Sequence, residues 1–360
     1  MNSFISAKYR CFVLFIEIFI VILLLPVLYN YFPVNKDAPT TFHISSSNID
    51  DVVSTLKKNG YTVTFIDKLM LKLVHVPETG WYHVDPDEYG RFLFFENMYN
   101  KKTDHTMDIV VYAGETSEEI IRRLANDMKL ESKKLEELYK TFSRFGQSDI
   151  FAQRYTIARN ANEKTTLQYL FSRSNDMLLK FEMENFTQKP DTSTLKILLT
   201  IASIIQKESN SAKEMPLISS VIYNRLKKGM KLQMDGTLNY GKNSHTIVTP
   251  ERIKTDTSYY NTYKYKGLPP APLGSVTLDA LYAAMHPAKS DYLFFMLKPD
   301  GTHNFSSNYE QHLKNIKTFR AYQKEKKRQK AIEKIATEQK RKEQQKAKTI
   351  KDQNSSKKRN

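Results

Sequence analysis

Phe12 to Phe32 is a run of 21 residues broken only by Glu17, Pro26 and Asn30, and no other feature restricts the chain as strongly. As a helix it rises about 32 Å, the thickness of a bilayer's hydrocarbon core. Lys8 and Arg10 precede the run, and Lys36 and Asp37 after it cancel. The positive-inside tendency then places residues 1–11 in the cytoplasm and everything after Phe32 outside it. A cleaved signal peptide fits less well, because the run exceeds the usual apolar core and no small-x-small site follows. Glu17 is costly within such a run, and lies close enough to the interface to snorkel.

An exported chain of this length, 360 residues, has room for two or three domains. Its 40% hydrophobic content supports a core and excludes wholesale disorder. The single cysteine, Cys11, sits at the membrane edge, so a disulfide scaffold and a CxxC metal site are both excluded. The net charge of +16 invites a nucleic-acid reading, but residues 321–360 carry 15 Lys and Arg against 5 Asp and Glu. The basicity belongs mostly to a tail placed outside the cytoplasm, where contact with anionic polymer or lipid is the relevant expectation and nucleic acid is not a partner.

Residues 33–41 read as a linker. Two stretches then share one pattern. Thr41–Ile44 is β-rich and leads through Ser45–Ser47 into Ile49, Val52, Val53 and Leu56, ending at Gly60. Ile109–Tyr112 leads through Ala113–Thr116 into Ile120, Ile121, Leu124 and Ala125. Each is a short strand, a polar turn and a helix with apolar residues at i, i+3 and i+4. Thr116 and Glu119 make a capping box. A helix over 132–141 and a strand near 154–158 complete a strand–helix–helix–strand unit resembling a LysM module, either a glycan binder or a plain spacer. Trp81–Val84 reads as another strand, with Pro86 opening a helix through Phe92–Met98.

After Pro190 the pattern changes. Thr192–Glu208 is apolar on nearly every face, which predicts a helix surrounded by protein. Pro216 opens an amphipathic helix that stops at Gly229. Tyr292–Leu297 and His303–Ser306 flank Pro299-Asp300-Gly301 as a β-hairpin. From Tyr322 the Lys/Glu/Gln-rich tail reads as a solvated helix or as disorder.

Glu208 is the carboxylate that stands out. Apolar neighbours Ile204 and Ile205 and the negative end of the helix dipole both disfavour its charged form, as a general acid near neutral pH requires. Taken alone, pairing with Arg225 is the blander alternative. Gln233–Thr237, Asn239–Gly241 and Tyr259–Tyr263 cluster amides and aromatic rings in loop-like sequence, followed by the rigid Gly267–Pro272 turn. Flat rings and planar donors suit sugars, though ordinary loop packing produces the same composition. The eight His show no ligand spacing, and neither a phosphate loop nor a GxSxG elbow occurs. No metal or cofactor is therefore expected.

Taken in order, Ala202–Ser209, Tyr223–Leu226, Leu232–Asp235, Tyr260–Tyr263, Gly267–Pro270 and His303–Phe305 resemble the YceG-like (MltG) family of endolytic murein transglycosylases. The resemblance is specific over about 190–320 and looser over 40–189. It departs at Gln206, where the family usually has Glu, and at Gly236, where it usually has Pro.

The resemblance implies an α+β protein: cytoplasmic 1–11, transmembrane 12–32, linker 33–41, a first α+β module 42–107, a LysM-like module 108–189, a catalytic domain 190–321 and a basic tail 322–360. It implies cleavage between N-acetylmuramic acid and N-acetylglucosamine in peptidoglycan strands, leaving a 1,6-anhydro end. Glu208 would be the catalytic acid, with Gln233, Asp235, Asn261, Tyr263, Asn224, Arg225 and His303 binding substrate. Implied partners are glycan strands, the cell membrane and peptidoglycan synthases of the elongation machinery. A non-catalytic wall-binding scaffold is the alternative.

Overall fold

The computed structural model describes residues 2–34, 38–84 and 90–356, excluding the side chains at 2–8, 335–336 and 341–356. Lys36, Asp37, Pro86 and the last four residues of the tail lie outside the described residues. The described residues form a mixture of helices with three two-stranded antiparallel sheets, so the α+β expectation holds.

Helix α1 (Asn2–Asn30) runs through Pro26, and its Tyr9–Asn30 stretch is long and apolar enough to cross a membrane. It ends two residues before the expected Phe32, in a turn closed by the Tyr31 and Phe32 N–H groups on Leu28 and Tyr29. Pro33 disfavours the α conformation at Phe32, so the helix cannot continue.

The chain divides into two compact units. The first runs to Leu195 and takes in Leu273–Thr277. Strand β1 (Thr41–Ile44) pairs with β2 (Gly80–His83), Phe42 opposite Tyr82. Between them lie α2 (Ile49–Lys58), capped by the Asn48 side chain, and α3 (Phe65–Leu73), opened by a Thr64–Asp67 capping box. With α4 (Gly90–Asn97) these enclose Phe42, Ile44, Leu56, Leu71, Tyr82 and Phe95.

Strand β3 (Thr106–Val110) pairs with β4 (Arg154–Ala158), Ile109 opposite Tyr155. Helices α5 (Ser117–Met128) and α6 (Ser132–Phe142) intervene, giving the expected strand–helix–helix–strand order, with both hydrogen bonds of the Thr116–Glu119 capping box formed. Helix α7 (Glu163–Asn185) adds Leu167 and Leu170 to the same core. It has no counterpart in the sequence reading. Its buried positions mix Thr165, Thr166, Ser174 and Glu182 with the apolar ones, which blurs the helical period.

Leu273–Thr277 belongs with this core through backbone bonds. Gly114 N–H donates to Ser275 O (2.8 Å), Ser275 N–H to Glu115 O (2.7 Å) and Ala152 N–H to Val276 O (2.9 Å). The Ser148 hydroxyl donates to Gly274 O (2.7 Å). A Cβ on Gly274 would lie 2.6 Å from Gly114 O, so only glycine permits this approach.

Helix α8 (Thr192–Glu208) opens in the first unit and belongs to the second from Lys196 onward. Enclosure on every face is not what the structure shows. Leu198 to Gln206 are buried, but Lys196 and Ile197 are exposed, because the first turns lack a covering element on that side. Helix α9 (Met215–Lys227) follows with Pro216 in its first turn, then α10 (Pro250–Thr255) and α11 (Leu278–Met285). The expected hairpin forms from β5 (Phe294–Leu297) and β6 (His303–Ser306), Phe295 opposite Phe305. Helix α12 (Tyr309–Ser356) starts well before Tyr322 and continues into the basic tail without a break, its charged side chains exposed from Lys324 to Glu333.

Candidate active site

Glu208 is the last residue of α8. The Asp191 carboxylate accepts the Thr194 N–H (2.6 Å) in the first turn of that helix, and its buried Leu199, Ile201, Ile204 and Ile205 fix its rotation. That rotation leaves Glu208 partly buried in the wall of a groove of about 550 Å³. Gln233, Met234, Asp235 and Tyr263 line it from the loops, Phe294–Leu297 and His303 from the hairpin, and Tyr309 and His312 from α12. A second depression of about 350 Å³ shares Glu208, Leu297 and His303. The first unit has its own cavity of about 260 Å³ around His43, Trp81 and Tyr169, but no carboxylate lines it, so it offers no acid for proton transfer.

Burial drives the Glu208 carboxyl up to about 7 from an ordinary 4.5. The Gly236 N–H, donating to Oε1 at 3.0 Å, opposes this; nearby Asp235 adds to it and the Arg225 charge works against it. An acid with a pKa near the working pH gives and takes a proton with equal ease.

Gly236 is required here for space. A Cβ would meet Lys207 Cβ at 2.7 Å and Glu208 Oε1 at 2.9 Å. A proline, the residue usual in the resembled family, would also remove the N–H that reaches the carboxylate. At the other departure, the Gln206 amide donates to Asn210 Oδ1 (2.9 Å).

Arg225 does not pair with Glu208. Its guanidinium is buried, donates to Leu293 O (2.6 Å) and to Leu232 O, and lies 5.2 Å from the Phe294 ring centre. It ties α9 to the hairpin and to the 231–232 loop, while its charge still reaches the acid.

The remaining expected site residues separate into two groups. Gln233, Asp235, Tyr263 and His303 line the groove with Glu208. Gln233 is exposed at φ 49°, a left-handed conformation uncommon outside glycine, and its N–H donates to Thr262 O (3.2 Å). The Tyr263 hydroxyl donates to Asp235 Oδ1 (2.7 Å), and burial with that partner raises its pKa. His303 is anchored by Glu214, which accepts its N–H (2.7 Å) and sits 2.9 Å from Nδ1. Burial alone would raise the Glu214 carboxyl, but the His303 bonds hold it below its ordinary value.

Asn224 and Asn261 do not line the groove. Asn224 donates to Ser290 O and Tyr292 O, both at 2.9 Å, and fixes the approach to β5. Asn261 is fully buried, donates to Ile253 O and Asp256 O at 2.9 Å and accepts the Tyr263 N–H. It sets the loop that presents Tyr263.

Three contributors escaped the sequence reading: the Gly236 N–H, and Tyr309 and His312 at the start of α12. His312 stacks on Phe294 with centroids 4.9 Å apart, and burial lowers its pKa. The i, i+3 spacing of Tyr309 and His312 was the available signal; the basic composition that follows hides it.

A model of the YceG-like family matches residues 43–318, which is most of the chain. The chain belongs to the YceG-like family. An endolytic murein transglycosylase of Bacillus subtilis is 30% identical over 320 residues, covering 78% of this chain and 86% of that protein. An endolytic murein transglycosylase of Streptococcus pneumoniae is 34% identical over 174 residues, 46% of this chain and 31% of that longer protein. A crystal structure of a YceG-like protein from Listeria monocytogenes aligns with a TM-score of 0.49 at 25% identity, covering 76% of this chain and 97% of that one.

Proposed function

We propose that this protein is a membrane-anchored lytic transglycosylase that cuts peptidoglycan glycan strands internally between N-acetylmuramic acid and N-acetylglucosamine. The observation that carries the chemistry is the Glu208 carboxyl, held near neutral pKa by burial and lining two adjoining depressions. Protonated Glu208 donates its proton to the glycosidic oxygen as the bond to the muramyl C1 breaks. The resulting carboxylate takes the proton of the muramyl 6-hydroxyl, whose oxygen closes on C1 to give the 1,6-anhydro end. No water is consumed, and the acid returns to its starting state. One carboxylate serves both transfers, so a second at glycosidase spacing is unnecessary.

Gln233, Asp235, Tyr263 and His303 bind the strand, and Asp235 also stabilises the oxocarbenium-like transition state. Arg225, Asn224 and Asn261 act through the backbone they hold. The two depressions that share Glu208, Leu297 and His303 offer room for a chain substrate to continue past the cut, as internal cleavage demands. Family membership and the names of the relatives support the reaction class. The anchor is Tyr9–Asn30, with the N-terminus cytoplasmic and the remainder outside, in reach of nascent strands and of the synthases that make them.

Full-length protein incubated with purified sacculi should release fragments whose ends carry anhydromuramic acid by mass spectrometry. Reducing ends in their place would make the enzyme a hydrolase, and binding without release would leave only a scaffold.

A further inference from the structure

Helix α3 faces the wrong way for a soluble module. Asp67 and Leu71 form its buried side. At 100° per residue, Phe65, Ile66, Leu69 and Leu73 fall within an arc of about 100° on the opposite side. They are 78%, 46%, 44% and 75% exposed. Four large apolar side chains on one helix face, with Val74 and Leu93 exposed nearby, make a contiguous patch that water does not favour.

The place of this patch says what covers it. Thr64, which caps α3, shares a hydrogen bond with the Tyr29 hydroxyl, and the same hydroxyl donates to Asp67 Oδ1 (2.8 Å). Tyr29 is in the last turn of the apolar α1 stretch. Three more ties fix the same junction. The Phe92 N–H donates to Asn30 Oδ1 (2.9 Å), the Tyr29 and Phe92 rings lie 5.5 Å apart, and Arg91 donates to Pro33 O (3.1 Å). The first turn of α3 is thus bonded to the point where the span ends. A helix of nine residues is only about 14 Å long, so its whole exposed face stays close to that point. Lys72 lies along one edge of the apolar arc, where its cationic end reaches lipid phosphates while its stem stays on the apolar surface; Lys68, one turn earlier on the same edge, is paired with Asp50.

We propose that α3 is an interfacial helix, its Phe65–Ile66–Leu69–Leu73 face lying on the bilayer that α1 crosses. The inference rests on the reading of α1 as a membrane anchor. Together, span and interfacial helix give the first unit two attachments to one membrane, and so a fixed attitude above it where a lone span would leave it free to swivel.

The test uses full-length protein carrying Cys11→Ser, with single cysteines from Phe65→Cys, Leu73→Cys or, as a water-facing control, Lys133→Cys. Each is labelled with an environment-sensitive dye and reconstituted into vesicles of phosphatidylcholine and phosphatidylglycerol. Labels at 65 and 73 should shift to the blue and lose at least half their emission to quencher-bearing lipids, while the label at 133 does neither. Leu69→Glu with Leu73→Glu should abolish the response at 65 while leaving flotation and thermal stability unchanged, since both side chains are already exposed. Flotation with water-like labels at 65 and 73 overturns the interfacial helix alone. Failure to float overturns the anchor and the interfacial helix with it. Shielding in native membranes but not in pure lipid vesicles also overturns the proposal, and assigns the face to a membrane protein partner.

Discussion

Two acids at helix ends, one in each unit, the first fully and the second partly buried, meet opposite fates. Asp67 lies in the first turn of α3, fully buried, and receives Arg91 through both Nε (2.9 Å) and Nη2 (2.5 Å), the Thr64 N–H (2.7 Å) and the Tyr29 hydroxyl. Glu208 lies in the last turn of α8, and receives one backbone N–H. A guanidinium is present near both. Arg91 turns to its acid, whereas Arg225 is occupied by the carbonyls of Leu293 and Leu232. Helix end, donor number and the aim of one arginine separate a structural carboxylate from the proposed proton-transfer group.

The sharpest break of that contrast is Glu208→Gln, which keeps size and hydrogen bonding but removes the proton. Anhydro-product release should fall by about 10²–10⁴-fold, the range of general acid–base assistance, with circular dichroism unchanged. Asp67→Ala should do the reverse. Leaving Arg91 buried and unpaired costs about 3–5 kcal/mol, read by denaturant titration, while cleavage per folded molecule is preserved.

The pH dependence works in the same direction for rate and stability. The folded pKa of Glu208, about 7, exceeds its ordinary 4.5. The stability this contributes is complete below pH 4.5 and is lost as pH rises to about 7. Relative to Glu208→Gln, the wild-type protein should therefore weaken over that interval, by at most about 3 kcal/mol, in melts at successive pH values. Its activity should also decline as pH rises through 7.

A smaller effect sharpens the comparison. Gly236→Ala forces its methyl against Lys207 and the carboxylate and displaces the N–H bond. Losing a bond to a charged acceptor is worth about 1.5–3 kcal/mol, so activity should drop about tenfold or more and the limb of the pH profile should move upward. The smallest change is expected from removing residues 335–360, which leaves Tyr309 and His312 in the groove; turnover on sacculi should stay within a factor of about two.

Much of the fold was legible from local signals. The Thr116–Glu119 box, the strand near 154–158, and Pro216 with Gly229 about α9 each rest on signals within a few residues, and the structure has them where the sequence put them. The misses are non-local. The Leu273–Thr277 segment bonds to residues more than 120 positions earlier, and nothing in its composition signals that. Helix α7 buries Thr165, Thr166, Ser174 and Glu182 beside Leu167, Leu170, Leu178 and Phe181, so polar residues interrupt its apolar period.

At the candidate site the division is similar. Glu208 stood out because an acid closing an apolar helix is visible in one dimension. The separation of Gln233, Asp235, Tyr263, His303 and the carbonyl-bound Arg225 in the groove wall from Asn224 and Asn261 behind it was not visible, because an amide looks the same in sequence whether it faces a groove or a backbone carbonyl.

Local chemistry was enough for the apolar span, the strand–helix–helix–strand order of residues 106–158 and the acid at the end of α8, since each depends on neighbours along the chain. Folding in three dimensions fixed that Arg225 bonds the Leu293 and Leu232 carbonyls and not that acid, that the Gly236 N–H points toward it, and that the apolar side of α3 is left uncovered. Those outcomes depend on which groups from distant segments reach one another, and hydrogen-bond direction and burial are properties of that meeting in space.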